Sequence, residues 1–264
     1  MPDLPADCRA LLLDIEGVLY VHGEPIAGAV EAIELLRDQV ESVLLVTNTS
    51  SISRRAVVDR VRRAGFEVTP DEVLTPAAMA VRHCRTMGHE KVNLMVAKSL
   101  REDLEEIALV GTDEQADAIV LGDLGPMFSA ETLNHAFRQI MNGAELIALQ
   151  HNRYWERADG LALDVGAYSA ALEYASGHEA VVVGKPSVRF FEMALADVGI
   201  PAGATVMVGD DIEGDVGGGL ESGIASVLVR TGKYRPDLVA ESGIEPTATI
   251  DSIADLPGLL EASQ

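Results

Sequence analysis

The chain alternates short runs of apolar residues with stretches whose apolar residues recur at helical spacing. RALLLD (9–14) predicts a buried strand because its leucines follow one another without interruption, and AGAVEAIELLRDQ (27–39) predicts an amphipathic helix. ESVLLVTNTS (41–50) then predicts a second strand, and SRRAVVDRVRRAG (53–65) predicts a helix that ends at Gly65. The chain therefore begins as β-α-β-α.

The last third of the chain repeats this alternation. Strands are predicted for EAVVVGK (179–185), ATVMVGD (204–210) and ASVLVRTG (225–232). Between them, SVRFFEMALADVG (187–199) predicts a helix and EGDVGGGLESG (213–223) a glycine-rich helix. Alternation of this kind favours an α/β fold with a parallel sheet and helices on both of its faces.

The segment between these two parts, residues 77–178, also contains short apolar strands and amphipathic helices. Its strand ends carry fewer polar residues than those of the flanking parts, and no repeat or low-complexity linker marks its limits. Periodicity leaves two alternatives open: the segment extends the same sheet, or it forms a separate inserted domain.

The charge of the chain restricts its partners. Asp and Glu outnumber Lys and Arg by 42 to 20, which gives a formal net charge of −22. Such a charge argues against a nucleic acid or an anionic membrane as partner, and an anionic substrate would have to be neutralised locally. The acid excess fits either a high-salt habitat or compositional drift.

The apolar runs are far shorter than the roughly 18 residues that a membrane-spanning helix needs. The start, MPDLPADCRA, lacks the basic and apolar regions of an export signal. Cys8 and Cys84 lie far apart without a metal-binding spacing, so we expect two reduced thiols. Together these features predict a soluble, cytoplasmic protein.

Polar side chains follow four of the predicted strands. They are Asp14 and Glu16, Thr47 and Asn48, Lys185, and Asp210 and Asp211. Any one of them could simply end a strand or cap a helix. In an open parallel sheet, however, ligands bind at the carboxyl ends of the strands, so four such ends together predict one functional cleft.

Carboxylates that converge from two strands suit Mg2+, a hard cation that keeps part of its shell for water and phosphate. The ion and Lys185 could neutralise a phosphoryl group that the net charge of the protein would otherwise repel. A carboxylate beside the ion can attack phosphorus and form an acyl phosphate. The residue types therefore indicate phosphoryl transfer.

The same residues resemble the motifs of the haloacid dehalogenase superfamily. DIEGVL (14–19) resembles its first motif, an apolar strand followed by DxDG[TV]L, and Thr47 in VTN matches the second. Lys185 in GKP matches the third motif and GDDIEGD (209–215) the fourth, in the order of the family. VTNTS, GKPS and the segment 208–235 are most similar to the NagD-like branch, subfamily IIA.

The resemblance implies a Rossmann-like core, as in other members, with an α/β cap domain of the C2 type inserted between the second and third motifs. The core would comprise residues 1–76 and 179–264, and the cap residues 77–178. Such a cap would close over the cleft and exclude water until one positioned water attacks. Caps of this type often pair, which predicts a homodimer through the cap.

The resemblance also implies roles for the residues of the first and fourth motifs. Asp14 would be the nucleophile and a Mg2+ ligand, and Asp210 would be a second carboxylate ligand. Glu16 would be the general acid/base, and its backbone carbonyl would be a further ligand. Of Asp211 and Asp215, one would ligate the ion or position a water and the other would cap the following helix. The sequence does not show which residue has which role.

The second and third motifs supply the phosphoryl-binding groups. Thr47 and Asn48 would bind the phosphoryl oxygens, and Lys185 would stabilise both Asp14 and the transferring group.

Glu16 departs from the family pattern, which usually has an aspartate there. Glutamate has nearly the same intrinsic pKa as aspartate, so it can still protonate a leaving group and deprotonate a water. Its carboxyl group reaches about 1.5 Å further unless the rotamer compensates. Since the enolase-phosphatase branch also reads DIEG, we expect hydrolysis to be retained, with a changed substrate preference or a slower turnover.

The sequence thus predicts a Mg2+-dependent phosphatase that hydrolyses a small phosphate ester or phosphoanhydride through a phospho-aspartate on Asp14. The alternative is a receiver-like module that is phosphorylated and binds a partner without turnover. Receivers are about half as long, lack the inserted domain and have no carboxylate two positions after the nucleophile, so the phosphatase is favoured. The phosphorylated small molecule that serves as substrate stays open.

Overall fold

A computed structural model describes residues 4–107, 114–157 and 160–263. The chain divides into two compact units. The first unit comprises Met1–Thr47, Arg55–Leu74 and Lys185–Gln264, and the second comprises Asn48–Arg54 and Thr75–Gly184.

Strands occur in both units. In chain order they are β1 (Ala10–Asp14), β2 (Tyr20–Val21), β3 (Glu24–Pro25), β4 (Ser42–Val46), β5 (Val73–Leu74), β6 (Val92–Met95), β7 (Ala118–Leu121), β8 (Glu145–Ala148), β9 (Tyr154–Arg157), β10 (Gly160–Leu163), β11 (Val181–Val182), β12 (Thr205–Gly209), β13 (Ala225–Val229) and β14 (Ala248–Ile250).

The helices alternate with these strands. They are α1 (Ala29–Gln39), α2 (Arg54–Arg63), α3 (Pro76–Met87), α4 (Ala130–Met141), α5 (Val165–Ser176), α6 (Val188–Val198), α7 (Gly218–Glu221), α8 (Pro236–Ser242) and α9 (Leu256–Glu261). A π-helical segment, Ile212–Gly217, precedes α7.

The first unit contains a six-stranded parallel sheet in the order β14-β13-β12-β1-β4-β5, with helices on both faces. The predicted α/β fold is therefore confirmed. β1 lies inside the sheet, where Leu11, Leu12 and Leu13 are fully buried. Each such side chain contributes roughly 2 kcal/mol of hydrophobic stabilisation, which explains the uninterrupted apolar run.

The register of β1 with its neighbours positions the predicted site. Leu13 pairs with Val208 of β12, and Asp14 pairs with Val46 of β4. Because the three strands are parallel and in step, their carboxyl ends lie at the same edge of the sheet.

The second unit has a sheet of its own, with four parallel strands in the order β11-β8-β7-β6. α4 and α5 pack on this sheet through a cluster of apolar side chains that includes Ile119, Ile140, Leu146 and Leu172. β9 and β10 form a separate antiparallel pair. The middle segment therefore does not extend the first sheet.

One predicted strand belongs to a different sheet from the one expected. The run around Val181–Val182 was predicted for the first sheet, but it pairs in parallel with Ile147 and Ala148 of β8. The first unit resumes only at Lys185, so the boundary lies six residues later than the predicted start of the second core segment at residue 179. Three valines favour a strand but carry no information about its partner.

Within the described residues, none of the helices combines the length and the apolar character needed to cross a bilayer.

Candidate active site

The chain turns sharply directly after β1, within the first motif (14–19). Asp14 ends the strand and is buried, whereas the side chain of Glu16 is exposed. Gly17 has a φ of +92°, and its N–H donates to the carbonyl of Tyr20 at 2.8 Å. Only glycine adopts this backbone geometry without strain, and a Cβ here would also overlap the carboxylate of Asp210.

A buried lysine joins two of the carboxylates. Lys185 is 3% exposed, and its Nζ donates to Oδ1 of Asp14 at 2.6 Å. The same ammonium lies 2.6 Å from Oδ1 of Asp215. Burial alone lowers the pKa of Lys185, but the charges of Asp14 and Asp215 outweigh it and raise that pKa above its usual value. Lys185 is therefore a permanent cation between two acids.

Asp210 follows β12 and is 2% exposed. Its Oδ2 accepts a hydrogen bond from the backbone N–H of Lys233 at 2.7 Å. Its Oδ1 is buried and has no hydrogen-bond partner among the described residues. Burial, together with the charges of Asp14 and Asp215, raises the pKa of Asp210 to about 8.

The π-helical segment places Asp211 and Asp215 in different surroundings. The N–H of Val216 donates to the carbonyl of Asp211, five residues earlier, at 3.2 Å. This wide turn directs Asp215 towards Lys185, and the side chain of Asp215 is almost fully buried. Burial is the main cause that raises the pKa of Asp215 to about 6.

Asp211 instead caps the segment. Its Oδ1 accepts from the backbone N–H groups of Glu213 at 3.2 Å and Gly214 at 2.9 Å, and its Oδ2 lies 3.1 Å from Nζ of Lys233. Burial tends to raise the pKa of Asp211, but the charge of Lys233 and the Gly214 amide lower it overall.

Three of the buried carboxylates could hold a cation. Asp14, Asp210 and Asp215 each offer an oxygen, and these oxygens lie within 4.8 Å of one another. With all three ionised, the excess over Lys185 is two negative charges, which a divalent ion would balance. The unpartnered Oδ1 of Asp210 and the all-oxygen donor set fit Mg2+. Asp14 and Asp210 are two of the predicted ligands, and their role, like that of the Glu16 carbonyl, stays a prediction.

The residues of the second motif lie at the end of β4. Thr47 is buried, and its N–H donates to the carbonyl of Leu74 at 3.2 Å. Asn48 is half-buried and belongs to the second unit, where its Oδ1 packs so closely against Gly184 that no Cβ would fit there. Their role in phosphoryl binding stays a prediction.

A loop that was not predicted as part of the site, Thr231–Lys233, follows β13 and contacts two of its strand ends. The hydroxyl of Thr231 donates to the carbonyl of Gly17, and the N–H of Lys233 donates to Asp210. Gly232 has a φ of +58°, and a Cβ on it would overlap the Asp210 carboxylate. The loop thus ties the turn after β1 to the end of β12. The sequence offered a signal, since the predicted strand 225–232 ends in Thr231 and Gly232 and a lysine comes next.

Comparison with known families gives two matches along the chain. Residues 11–110 match the model described as haloacid dehalogenase-like hydrolase, and residues 182–256 match a second model of hydrolases of this type.

Similar curated proteins cover almost the whole chain. Phospholysine phosphohistidine inorganic pyrophosphate phosphatase of Rattus norvegicus is 38% identical over 258 residues, 96% of this chain and 94% of that protein. Haloacid dehalogenase-like hydrolase domain-containing protein 2 of Pongo abelii is 38% identical over 250 residues, 94% of this chain and 95% of that protein.

Solved structures share the fold. A p-nitrophenyl phosphatase from Archaeoglobus fulgidus has a TM-score of 0.89 and 30% identity, with 96% of this chain and 99% of that chain covered. NagD from E. coli K-12 has a TM-score of 0.85 with 94% of this chain and 98% of that chain covered, and at 24% identity it supports the fold alone.

Proposed function

This chain belongs to the haloacid dehalogenase-like hydrolases, and from that premise we propose that it is a Mg2+-dependent phosphatase acting through a phospho-aspartate on Asp14. Its substrate would be a small phosphate ester or phosphoanhydride. The match to named phosphatases over almost the whole chain favours this activity over a receiver-like module.

The observation that carries the proposal is the buried cluster at the carboxyl ends of β1 and β12. A nucleophilic carboxylate must be held still, and the 2.6 Å hydrogen bond from the ammonium of Lys185 fixes the position of Asp14. The same ammonium is positioned to stabilise negative charge on a phosphoryl group that approaches Asp14.

Asp14, Asp210 and Asp215 would hold the Mg2+ ion. When bound, the ion neutralises charge on the phosphoryl oxygens and makes phosphorus more electrophilic. The protein supplies the charge around the ion. Three buried acids give a high local negative charge, and Lys185 offsets part of it.

The chemistry takes two steps. In the first, a carboxylate oxygen of Asp14 forms a bond to phosphorus while the bond to the leaving group breaks, and Glu16 gives that group a proton. In the second, Glu16 removes a proton from a water whose oxygen attacks phosphorus, which releases phosphate and restores Asp14. The exposure of the Glu16 carboxyl group supports this role, because an external leaving group and water can reach it.

The names of the relatives suggest which bonds to examine. One relative is named for phospholysine, phosphohistidine and inorganic pyrophosphate, and a similar structure is named for p-nitrophenyl phosphate. A panel with pyrophosphate, phosphohistidine, phospholysine and phosphate monoesters therefore covers P–O–P, P–N and P–O–C bonds.

The test is release of p-nitrophenol from p-nitrophenyl phosphate with Mg2+. We expect continuous turnover by the wild type and a loss of about 10³-fold or more in Asp14→Asn, as for removal of a nucleophile. Asp38→Asn removes an exposed carboxylate on α1 and should leave the rate unchanged. A single burst that stops after one equivalent would instead support the receiver-like alternative.

A further inference from the structure

The second unit contains a cluster of two histidines and a glutamate that plays no part in the proposed phosphatase. His83 lies on α3, His89 follows that helix, and Glu145 is the first residue of β8. Nε2 of His83 lies 2.8 Å from Oε2 of Glu145, and Nε2 of His89 lies 2.7 Å from the same oxygen.

The sequence brings both imidazoles to one side through the end of α3. Gly88 takes a left-handed conformation with a φ of +72°, and the N–H of His89 donates back to the carbonyl of Cys84 at 2.9 Å. This turn is a common way to end a helix, and it returns His89 to a position beside His83.

The backbone after His89 is fixed as well. The carboxylate of Asp117 accepts from the N–H groups of Glu90 at 3.0 Å and Lys91 at 2.9 Å. Three parts of the unit therefore converge on the cluster: the end of α3, the turn that follows it and the start of β8.

The donor atoms are arranged as in a site for a transition metal. One nitrogen from each histidine and one oxygen of Glu145 lie within 4.8 Å of one another. The side chains of His83, His89 and Glu145 are 6%, 15% and 25% exposed, so an ion could reach them from solvent and still be largely shielded.

The charge of the cluster also favours a cation. Glu145 places a half-buried carboxylate against both imidazoles, and Asp117 adds a second acid near His89. Two imidazole nitrogens and a carboxylate oxygen form a donor set that suits Zn2+, with the fourth position open to water.

We propose that His83, His89 and Glu145 bind a Zn2+-class divalent metal ion, which ties the end of α3 to the start of β8. Mg2+ prefers an all-oxygen shell, so this cluster and the acidic cluster of the first unit would select different ions. A metal that binds only the folded chain stabilises it, and this site would therefore stabilise the second unit.

The test is titration of the full chain with Co2+, a spectroscopic substitute for Zn2+, in the presence of excess Mg2+ to occupy the acidic cluster. We expect one equivalent of Co2+ to give the strong visible absorption of a four-coordinate nitrogen and oxygen site, and Zn2+ to abolish it by displacement. His89→Gln and Glu145→Gln should lose this absorption. His178→Gln changes an exposed histidine of the same unit and should keep it.

A second measurement needs no variant. In the wild type, addition of Zn2+ should shift the ring-nitrogen NMR signals of His83 and His89 and leave that of His178 in place. If Zn2+ leaves the signals of His83 and His89 unchanged, or if His89→Gln binds Co2+ with the wild-type spectrum, the three side chains form only a hydrogen-bonded network and the proposal is wrong.

Discussion

Among single residues, Lys185 and the buried acids around it determine the charge of the proposed site. The ammonium of Lys185 contacts both Asp14 and Asp215, whereas the buried Oδ1 of Asp210 has no hydrogen-bond partner within the described part of the chain. Burial, together with the charges of Asp14 and Asp215, raises the pKa of Asp210 to about 8. The buried Oδ1 also gives a divalent ion a place to bind.

Glu16 carries the proton transfer in this account, and Glu16→Gln tests it. We expect the turnover number to fall by about 10²- to 10⁴-fold, the usual contribution of a general acid/base. Since the side chain is exposed, the free energy of unfolding should change by less than about 0.5 kcal/mol.

Steady-state kinetics and urea unfolding measure these two effects. Glu24→Gln, at another exposed glutamate of the first unit, is the matched control and should affect neither. Full activity in Glu16→Gln would assign the proton transfer to another group.

The pKa of Asp210 predicts how pH affects the metal-free protein. A carboxyl group whose pKa rises from 3.8 to about 8 on folding makes the folded state bind more protons than the unfolded state between these values. Stability of the metal-free protein therefore falls as pH rises through this window. Mg2+ must displace the Asp210 proton below pH 8, so its binding weakens as pH falls.

Thermal unfolding with and without Mg2+ measures this linkage. The rise in melting temperature caused by Mg2+ should be larger at pH 8.5 than at pH 6, and Asp210→Asn should reduce the difference. An equal rise at both values, or a larger one at pH 6, would contradict the role given to Asp210.

The sequence predicted Asp14, Lys185 and Asp210, and the structure brings all three together. It could not separate Asp211 from Asp215, because their side-chain directions depend on whether the following turn is α- or π-helical. That choice depends on contacts made by the folded unit, which the seven residues of the motif (209–215) do not specify.

Among the elements of the fold, the loop Thr231–Lys233 connects the turn after β1 to the end of β12. Gly232→Ala tests the importance of this connection. We expect a loss of about 3 kcal/mol in the free energy of unfolding, because the new Cβ adds both backbone strain and overlap with the Asp210 carboxylate. Mg2+ binding should weaken too, since the overlap displaces one of its ligands.

A substitution at a second glycine measures the effect of backbone strain without that of overlap with Asp210. Gly243 has a similar φ of +67°, but a Cβ on it would meet nothing within 4 Å. Gly243→Ala should therefore cost only about 1 kcal/mol and leave Mg2+ binding unchanged. Equal losses in the two variants, measured by urea unfolding, would show that the close approach to Asp210 has no effect of its own.

The strands and helices of the chain were largely predictable from periodicity, but the partners of the strands were not. β1 and β12 are long apolar runs with many buried contacts, whereas β11 has only Val181 and Val182. Parallel pairing joins segments that are distant in sequence. The local sequence of a short run such as β11 therefore does not determine which of the two sheets it joins.

At the scale of the whole molecule, a net charge of −22 should slow the approach of anionic substrates. Raising ionic strength from 0.01 M to 0.1 M shortens the screening length from about 30 Å to about 10 Å. We therefore expect kcat/KM for p-nitrophenyl phosphate to rise over this range, with a steeper rise for the more highly charged pyrophosphate.

Initial rates at fixed free Mg2+ measure this salt effect. A fall in kcat/KM with added salt would mean that the local field of the bound ion and Lys185 outweighs that of the whole protein.

In the proposed reaction Asp14 becomes phosphorylated during each turnover, and this intermediate can be trapped. A rapid acid quench of the wild type with 32P-labelled substrate should leave the label on the peptide that contains Asp14, and hydroxylamine should remove it, as expected for an acyl phosphate. A wild type that turns over without labelling this peptide, or an Asp14→Asn protein that still hydrolyses the substrate, would contradict the claim.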